Sequence, residues 1–384
     1  MLGRCGRRRC ASATAGELWT TLNALGGRPG AINMGQGFPD FPGSGIARSA
    51  AAAALDVPAL NQYSPIDGLA SLRGEVSSFY ARRYGSAYDR NTEVVVTASG
   101  QEALVASLRA CFAAAPARRG VLVMEPFYPF LAPAIAAAGG EVQPARLAAP
   151  RFALDANALE DACDDRTGVA VLNTPQNPTG RVATRDELEG LADLCARRDL
   201  LAIADEVYEH AVFGGRRHLR LADVRGMRGR TISLSSAGKL LSLTGWRVGW
   251  ALAAEPLARR VSAAHTGLTY AAPTPLQHGV AEALRADDFG GVADLFERNA
   301  RALAAALETR GLGVVAPEGG YFLCADARRP ALDFVTDLAD ETGVVCTPLS
   351  VFYRDPPPDT TLVRFTICKS AAHVDRACAA LRRS

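Results

Sequence analysis

Ser235-Ser236-Ala237-Gly238-Lys239, followed by Thr244-Gly245-Trp246-Arg247, is the stretch around which the rest of the chain is read. Of the 42 basic residues only Lys239 and Lys369 are lysines; the others are arginines. Arginine is nearly always charged and is a poor nucleophile, whereas a partly desolvated lysine loses its proton and can attack a carbonyl. Lys239 follows a short apolar run, Thr231-Ile-Ser-Leu-Ser235, and sits among small residues that let a ligand approach. This stretch alone is compatible with a Schiff-base lysine or with an ordinary surface lysine, and the remainder of the chain decides.

At 384 residues the chain has room for about two domains with a sizeable core. A hydrophobic fraction of 48% with 21% charged residues is that of an ordinary globular protein, which excludes a disordered or fibrous class. A formal charge of +2 gives no basis for binding nucleic acid or a membrane surface. Arg4, Arg7, Arg8 and Arg9 precede the first acidic residue, Glu17, without an apolar stretch of signal-peptide length, so residues 1–18 are expected to form a disordered tail. No run approaches the length of a membrane span. The nine cysteines, an odd count with no CxxC spacing, point to reduced thiols in a cytoplasm. The five histidines form no metal-binding pattern, and no metal site is expected. There is no GxGxxG, and Gly238-Lys239 lacks both the upstream glycine and the following Ser or Thr of a nucleotide-binding loop.

Outward from Lys239, short β-branched runs at 93–97, 121–124, 168–172, 200–204, 231–235 and 247–252 alternate with helical stretches near 102–115, 127–139 and 185–198. Strands buried on both faces and separated by helices predict an α/β fold with a mostly parallel sheet, whose ligands gather at the carboxyl ends of the strands. Thr97-Ala-Ser99-Gly100-Gln101 opens a helix, where free N–H groups suit a phosphate, although an ordinary serine cap is the more common use of such a stretch. Tyr128 ends one strand segment. Asn173-Thr-Pro-Gln-Asn177-Pro-Thr-Gly180 forbids regular structure and holds Asn177 in a loop. Asp205, closing an apolar strand ahead of Tyr208, is costly to bury unless it meets a cation.

Toward the N-terminus, residues 16–28 read as a short helix, 31–40 as a strand running into a Gly/Pro loop, 46–57 as an alanine-rich helix and 69–84 as another helix. Toward the C-terminus, 253–286 is largely helical with a break at Tyr270 to Pro275, and a long helix covers 287–310. Strands near 320–325, 343–347 and 361–367 then alternate with helices near 330–341 and 371–382, which predicts a second, smaller α+β domain.

Taken together, Asn33-Met-Gly-Gln-Gly-Phe-Pro-Asp-Phe-Pro42, Asn61-Gln-Tyr63, Glu125-Pro-Phe-Tyr128, the Asn173–Gly180 loop, Asp205-Glu-Val-Tyr208, Ser236-Ala-Gly-Lys239, Thr244-Gly-Trp-Arg247, Gly320-Tyr-Phe-Leu323, Pro348-Leu-Ser-Val-Phe-Tyr353 and Val363-Arg-Phe365 form an ordered set. From about residue 19 to the C-terminus this set resembles the fold type I pyridoxal-phosphate aminotransferases of the aspartate aminotransferase superfamily, and within them the kynurenine, glutamine and methionine branch. The resemblance implies a PLP-dependent transferase fold: an N-terminal arm over 19–45, a large cofactor-binding domain over 46–286 and a small domain over 287–384. It implies a homodimer with active sites at the interface, acting on amino acids and 2-oxo acids.

For individual residues, it implies that Lys239 carries the Schiff base to pyridoxal 5'-phosphate and shuttles a proton, and that Asp205 pairs with the pyridine nitrogen. Asn177 and Tyr208 would bond the phenolic oxygen and Tyr128 would stack on the ring. Ser99, Gly100, Gln101, Ser236 and Arg247 would hold the phosphate, with Tyr63 contributed by the second subunit. Arg364 would clamp the substrate carboxylate, and Gly37, Trp19, Tyr270 and Phe352 would shape the substrate pocket. Two positions depart from the branch: Gln101 stands where tyrosine is frequent, and Ala271 where histidine is frequent. These departures bear on aromatic specificity, not on cofactor chemistry. The same residue set also serves lyases and synthases on this fold. A cofactor-sensing regulator is the third reading, disfavoured because about 18 residues ahead of Trp19 are too few for a DNA-binding module.

Overall fold

A computed structural model of the chain describes residues 15–289, 291–357 and 360–383, with side chains from Thr20 onward. Its centre is a seven-stranded sheet in the order Val94–Thr97, Gly249–Leu252, Thr231–Ser236, Leu201–Asp205, Thr167–Asn173, Gly120–Glu125 and Glu141–Arg146. Gly249–Leu252 runs antiparallel to both of its neighbours, and every other pairing is parallel. The inner strands are continuous runs of Val, Ile, Leu and Ala because helices cover both faces. One of these, Arg185–Arg197, starts on a reciprocal cap in which the Thr184 hydroxyl receives the Glu187 N–H and the Glu187 carboxylate receives the Thr184 N–H.

The second part is a four-stranded antiparallel sheet in the order Thr347–Pro348, Leu362–Thr366, Phe322–Asp326, Gly313–Val315, packed with the helices Val292–Thr309, Ala331–Thr342 and Ala371–Arg383. The N-terminal arm joins it: Ile32–Asn33 pairs in parallel with Val344–Val345. The polar end of the large sheet therefore faces the Gly35–Asp40 loop and the strand carrying Arg364. Among the described residues no helix is long and apolar enough to cross a membrane.

Two helices begin later than the sequence predicts, and one strand of the large sheet is additional. The helix expected over 127–139 begins at Leu131, because Pro129 steers Tyr128 away from helical geometry. The helix expected over 287–310 begins at Val292, after Gly291 at a φ of 61°. The strand Glu141–Arg146 was not anticipated. It lies at the sheet edge, where its Glu, Gln and Pro are tolerated and no apolar run marks it. Trp19 lies on the helix Ala15–Gly26, and its side chain falls outside the described residues.

Candidate active site

The carboxyl ends of Thr167–Asn173, Leu201–Asp205 and Thr231–Ser236 open into a cleft of about 680 Å³, including its mouth. It is lined by Gly100, Gln101, Leu104, Tyr128, Asn173, Asn177, Asp205, Val207, Tyr208, Ser236, Lys239 and Arg247. Nine of the sixteen residues named above as site candidates thus meet in one place. Lys239 sits on the short helix Ala237–Leu240 that directly follows its strand. Its Nζ donates to Gly37 O at 3.3 Å and lies 5.7 and 5.4 Å from the ring centres of Tyr208 and Tyr321. Burial holds its pKa below the usual lysine value, and the cations Arg247 and Arg364 act in the same direction against Cys368 and Asp205. That lowers the cost of reaching the neutral, nucleophilic form from the resting ammonium.

Asp205 ends its strand at the cleft floor. Burial raises its carboxyl to about 6, against a single backbone N–H from Val207 at 3.4 Å and the field of Lys239. Among the described residues no cationic side chain forms an ion pair with it, so the cation anticipated from the sequence is not a residue of this fold. A carboxylate in this position suits a ligand that brings its own positive charge. Tyr208 is buried, and burial followed by the charge of Asp205 drives its phenol well above the ordinary value, so it remains a hydrogen-bond donor. Asn173 organises the adjacent loop: its Oδ1 receives the Asn177 N–H at 2.7 Å and its Nδ2 donates to Asp205 O at 2.9 Å.

At the opposite end, Ser99 has a φ of 109° and caps the fifteen-residue helix Gly100–Ala114 through Glu102 N–H. The first-turn N–H groups of that helix have no intrahelical acceptor and carry its positive dipole end. The turn is pressed against the neighbouring strand, where a Cβ on Gly249 would lie 2.5 Å from Ser99 C. Ser236 is buried at the end of its strand, and Arg247 is exposed in left-handed geometry, with Nη1 donating to Thr244 O at 3.0 Å.

Arg364 closes the cleft from the small sheet. It is buried, and burial lowers its pKa to about 10, so it stays charged at neutral pH. Nη1 donates to Asn177 Oδ1 and Nη2 to Gly35 O, both at 2.7 Å, while Nε has no protein partner among the described residues. The guanidinium stacks 3.9 Å from the Phe322 ring centre and 4.5 Å from that of Phe352. Gly37 is required where it stands: a Cβ there would lie 2.3 Å from Phe322 Cζ.

Tyr63 and Tyr270 lie away from the cleft of their own chain. They form an edge-to-face pair 5.4 Å apart on the surface, 85% and 48% exposed. Several residues of the site had been assigned no role from the sequence: Leu104, Asn173 and Val207 in the lining, Phe322 under Arg364, and Tyr321, whose hydroxyl donates to Lys239 O at 2.7 Å. Only the Gly320-Tyr-Phe-Leu323 string signalled the last two.

The donor set fits pyridoxal phosphate: a buried amine of lowered pKa, a carboxylate without a protein cation, and a helix N-terminus facing the same cleft. The comparisons agree. The profile of aminotransferase class I and II matches residues 29–381, and the chain belongs to this family of pyridoxal-phosphate-dependent aminotransferases. It is 39% identical to an N-succinyldiaminopimelate aminotransferase of Mycobacterium tuberculosis, DapC, over 94% of each chain. It is 33% identical to the methionine aminotransferase of Escherichia coli over 95% of each. The solved structure of the Mycobacterium tuberculosis N-succinyldiaminopimelate aminotransferase superposes with a TM-score of 0.90 at 38% identity, covering 98% of both chains. The protein is thus an aminotransferase, and the lyase reading of the same residue set is set aside.

Proposed function

We propose that this aminotransferase uses Lys239 as both the covalent anchor of pyridoxal phosphate and the acid–base group of amino transfer, with Arg364 and Asn177 as the substrate's carboxylate clamp. The observation that carries the reading is the buried amine of Lys239 in the same cleft as the unpaired Asp205 carboxylate and a guanidinium with a free Nε. The bound cofactor supplies an electron sink when the substrate's Cα–H bond breaks. The chain does the rest. Asp205 would hold the pyridine nitrogen and favour its protonated form. Tyr208 and Asn177 donate toward the phenolic oxygen. Tyr128 covers one ring face. Ser99, Gly100, Gln101, Ser236 and Arg247 bind the phosphate through N–H, hydroxyl and guanidinium groups. Lys239 would hold and move the proton at the substrate's Cα.

The donor enters with its carboxylate on Arg364 and its side chain along Tyr128, Leu104 and Phe352, with the backbone at Gly37 opposite; Trp19 belongs to the same wall in this reading. Apart from Lys239 and Arg247, which the cofactor engages, and Arg364, which takes the α-carboxylate, no cation is described at the cleft, so uncharged side chains are favoured over aspartate. Of the relatives' named substrates, methionine fits this expectation and is the first to try, and N-succinyldiaminopimelate, whose side chain carries carboxylates, is the contrasting test. The exposed Tyr63–Tyr270 pair, with Leu55 and Val57 also exposed, supports a homodimer in which each chain's Tyr63 completes the other's phosphate site. The seven described cysteines are free, which supports a cytoplasmic enzyme. We keep the division into an arm over 19–45, a large domain over 46–286 and a small domain over 287–384.

The test is a single turnover followed by absorbance. Each amino acid is added alone to the cofactor-loaded enzyme, and a 2-oxo acid is then added. Conversion of the cofactor band by the amino acid and its restoration by the oxo acid identify the substrates. Lys239→Ala should lose amino transfer by at least about a hundredfold; a variant that turns over at the parent rate refutes the assignment.

A further inference from the structure

Two cleft residues, and one glycine packed beneath the cleft's helix turn, have sequence neighbours buried behind the sheet. Tyr208 is followed by Glu209, Ser236 is preceded by Ser235, and Gly249, packed on the Ser99 turn, is followed by Trp250. Behind the sheet these neighbours meet in one buried chain of hydrogen bonds. The Ser235 hydroxyl donates to Glu209 Oε1 at 2.6 Å and the Tyr80 hydroxyl donates to the same oxygen at 2.7 Å. Trp250 Nε1 in turn donates to the Tyr80 oxygen at 3.2 Å. All four side chains are fully buried.

A buried carboxyl group is costly and survives in a core when it receives strong bonds. The second buried glutamate nearby, Glu206, has its own cation: Arg220 Nε donates to it at 3.1 Å. Glu209 has no cationic hydrogen-bond partner, and its Oε2 has no partner among the described residues. Burial and the charge of Glu206 raise its pKa, which favours the neutral acid. A buried carboxyl group whose one oxygen ties its own turn to one strand and one helix, with no cationic hydrogen-bond partner among the described residues, does not serve as an ion-pair anchor. Its bonds fix the direction in which the residues next to it point.

We propose that Glu209 is a positioning residue of the active site: by holding Ser235 and Tyr80 on one carboxyl oxygen it sets the aim of Tyr208 and Ser236 into the cleft. The inference rests on the reading that Tyr208 and Ser236 contact the cofactor. Glutamine keeps the accepting oxygen and matches the neutral acid in shape. Leucine keeps the volume and removes the acceptor. Ser235→Ala removes one of the two bonds without touching Glu209.

The experiment measures three quantities on the holoenzyme: the dissociation constant of pyridoxal phosphate, the pH midpoint of the bound cofactor's absorption change, and the denaturant midpoint. E209Q should stay within about twofold of the parent in cofactor affinity. E209L and S235A should weaken cofactor binding by about tenfold and move the pH midpoint by about half a unit. If E209L does not fold, S235A against E209Q carries the comparison. Y208F and S236A are measured alongside. If those two shift affinity and pH midpoint while E209L and S235A change only the denaturant midpoint, Glu209 is a core residue and the proposal is wrong. If Y208F and S236A shift neither quantity, the contact reading beneath the proposal fails and the proposal falls with it.

Discussion

The ammonium groups of Lys239 and Lys369 donate to consecutive carbonyls of one loop, Gly37 O at 3.3 Å and Phe38 O at 2.6 Å. The Lys369 ammonium also lies 3.8 Å from the Phe38 ring centre, and Arg364 binds the same loop at Gly35 O. Three cations thus grip one short N-terminal segment by its backbone oxygens. Two of them belong to the proposed chemistry. The third, Lys369, remains bonded to the loop throughout.

Replacing Lys369 by methionine keeps the stem and removes the donor. A charge-assisted bond of this kind is worth about 2 kcal/mol. The loop must then be ordered by the incoming substrate, so KM for the amino donor should rise by roughly tenfold with a smaller change in kcat. Steady-state kinetics on K369M checks this; a fall in kcat at unchanged KM contradicts it.

Arg364→Lys keeps the charge and loses the planar fork that serves Asn177, Gly35 and a carboxylate together. The expected loss is about 2 kcal/mol, roughly thirtyfold in kcat/KM. Cofactor affinity should fall much less, because Arg364 itself serves the substrate and reaches the cofactor only through Asn177. Both are read from titration of the holoenzyme with a responsive amino acid.

Gly37→Ala tests the loop from its other side. The added methyl would meet the Phe322 ring, and overpacking of this kind costs about 1–3 kcal/mol. Adding Phe322→Leu should recover stability, since the obstructing ring is gone. It should not recover activity, since the same ring stacks on Arg364. Thermal unfolding and turnover of the single and double variants separate the two effects.

Asp205 gives the cofactor-free enzyme a signed pH dependence. Its folded pKa of about 6 lies above the ordinary 3.8. The folded state therefore holds the proton more tightly than the unfolded chain, and the stability this contributes is complete below about pH 4 and lost as pH rises through about 6. Asp205→Asn cannot ionise. It should match the parent near pH 4 and exceed it by about 3 kcal/mol at pH 8. Urea unfolding across this range checks the sign; a difference that does not grow with pH contradicts it.

Much of this site was legible before any fold was in view, and for physical reasons. Lys239 stands out in a chain that otherwise uses arginine, Asp205 ends an apolar strand, and the prolines around Asn177 exclude regular structure. The seven-stranded sheet was legible in its buried runs, and the edge strand Glu141–Arg146 was not, because edge positions do not demand apolar residues. What stayed hidden was whatever depends on distant pairing. Gly35 and Arg364 are 329 residues apart, and only the packed fold brings them within 2.7 Å. The bond between Glu209 and Ser235 is hidden for the same reason: nothing local in either segment specifies the other.

The scarcity of lysine also writes a short digestion map. A protease that cuts only after lysine has two sites in the unfolded chain and leaves peptides 1–239, 240–369 and 370–384. Such a protease does not cut after a substituted lysine. Cofactor fixed onto Lys239 by borohydride would therefore fuse the first two peptides into one ending at Lys369. The ratio of fused to separate peptides would count occupied sites directly by mass, without a substrate and without knowing which amino acid the enzyme prefers.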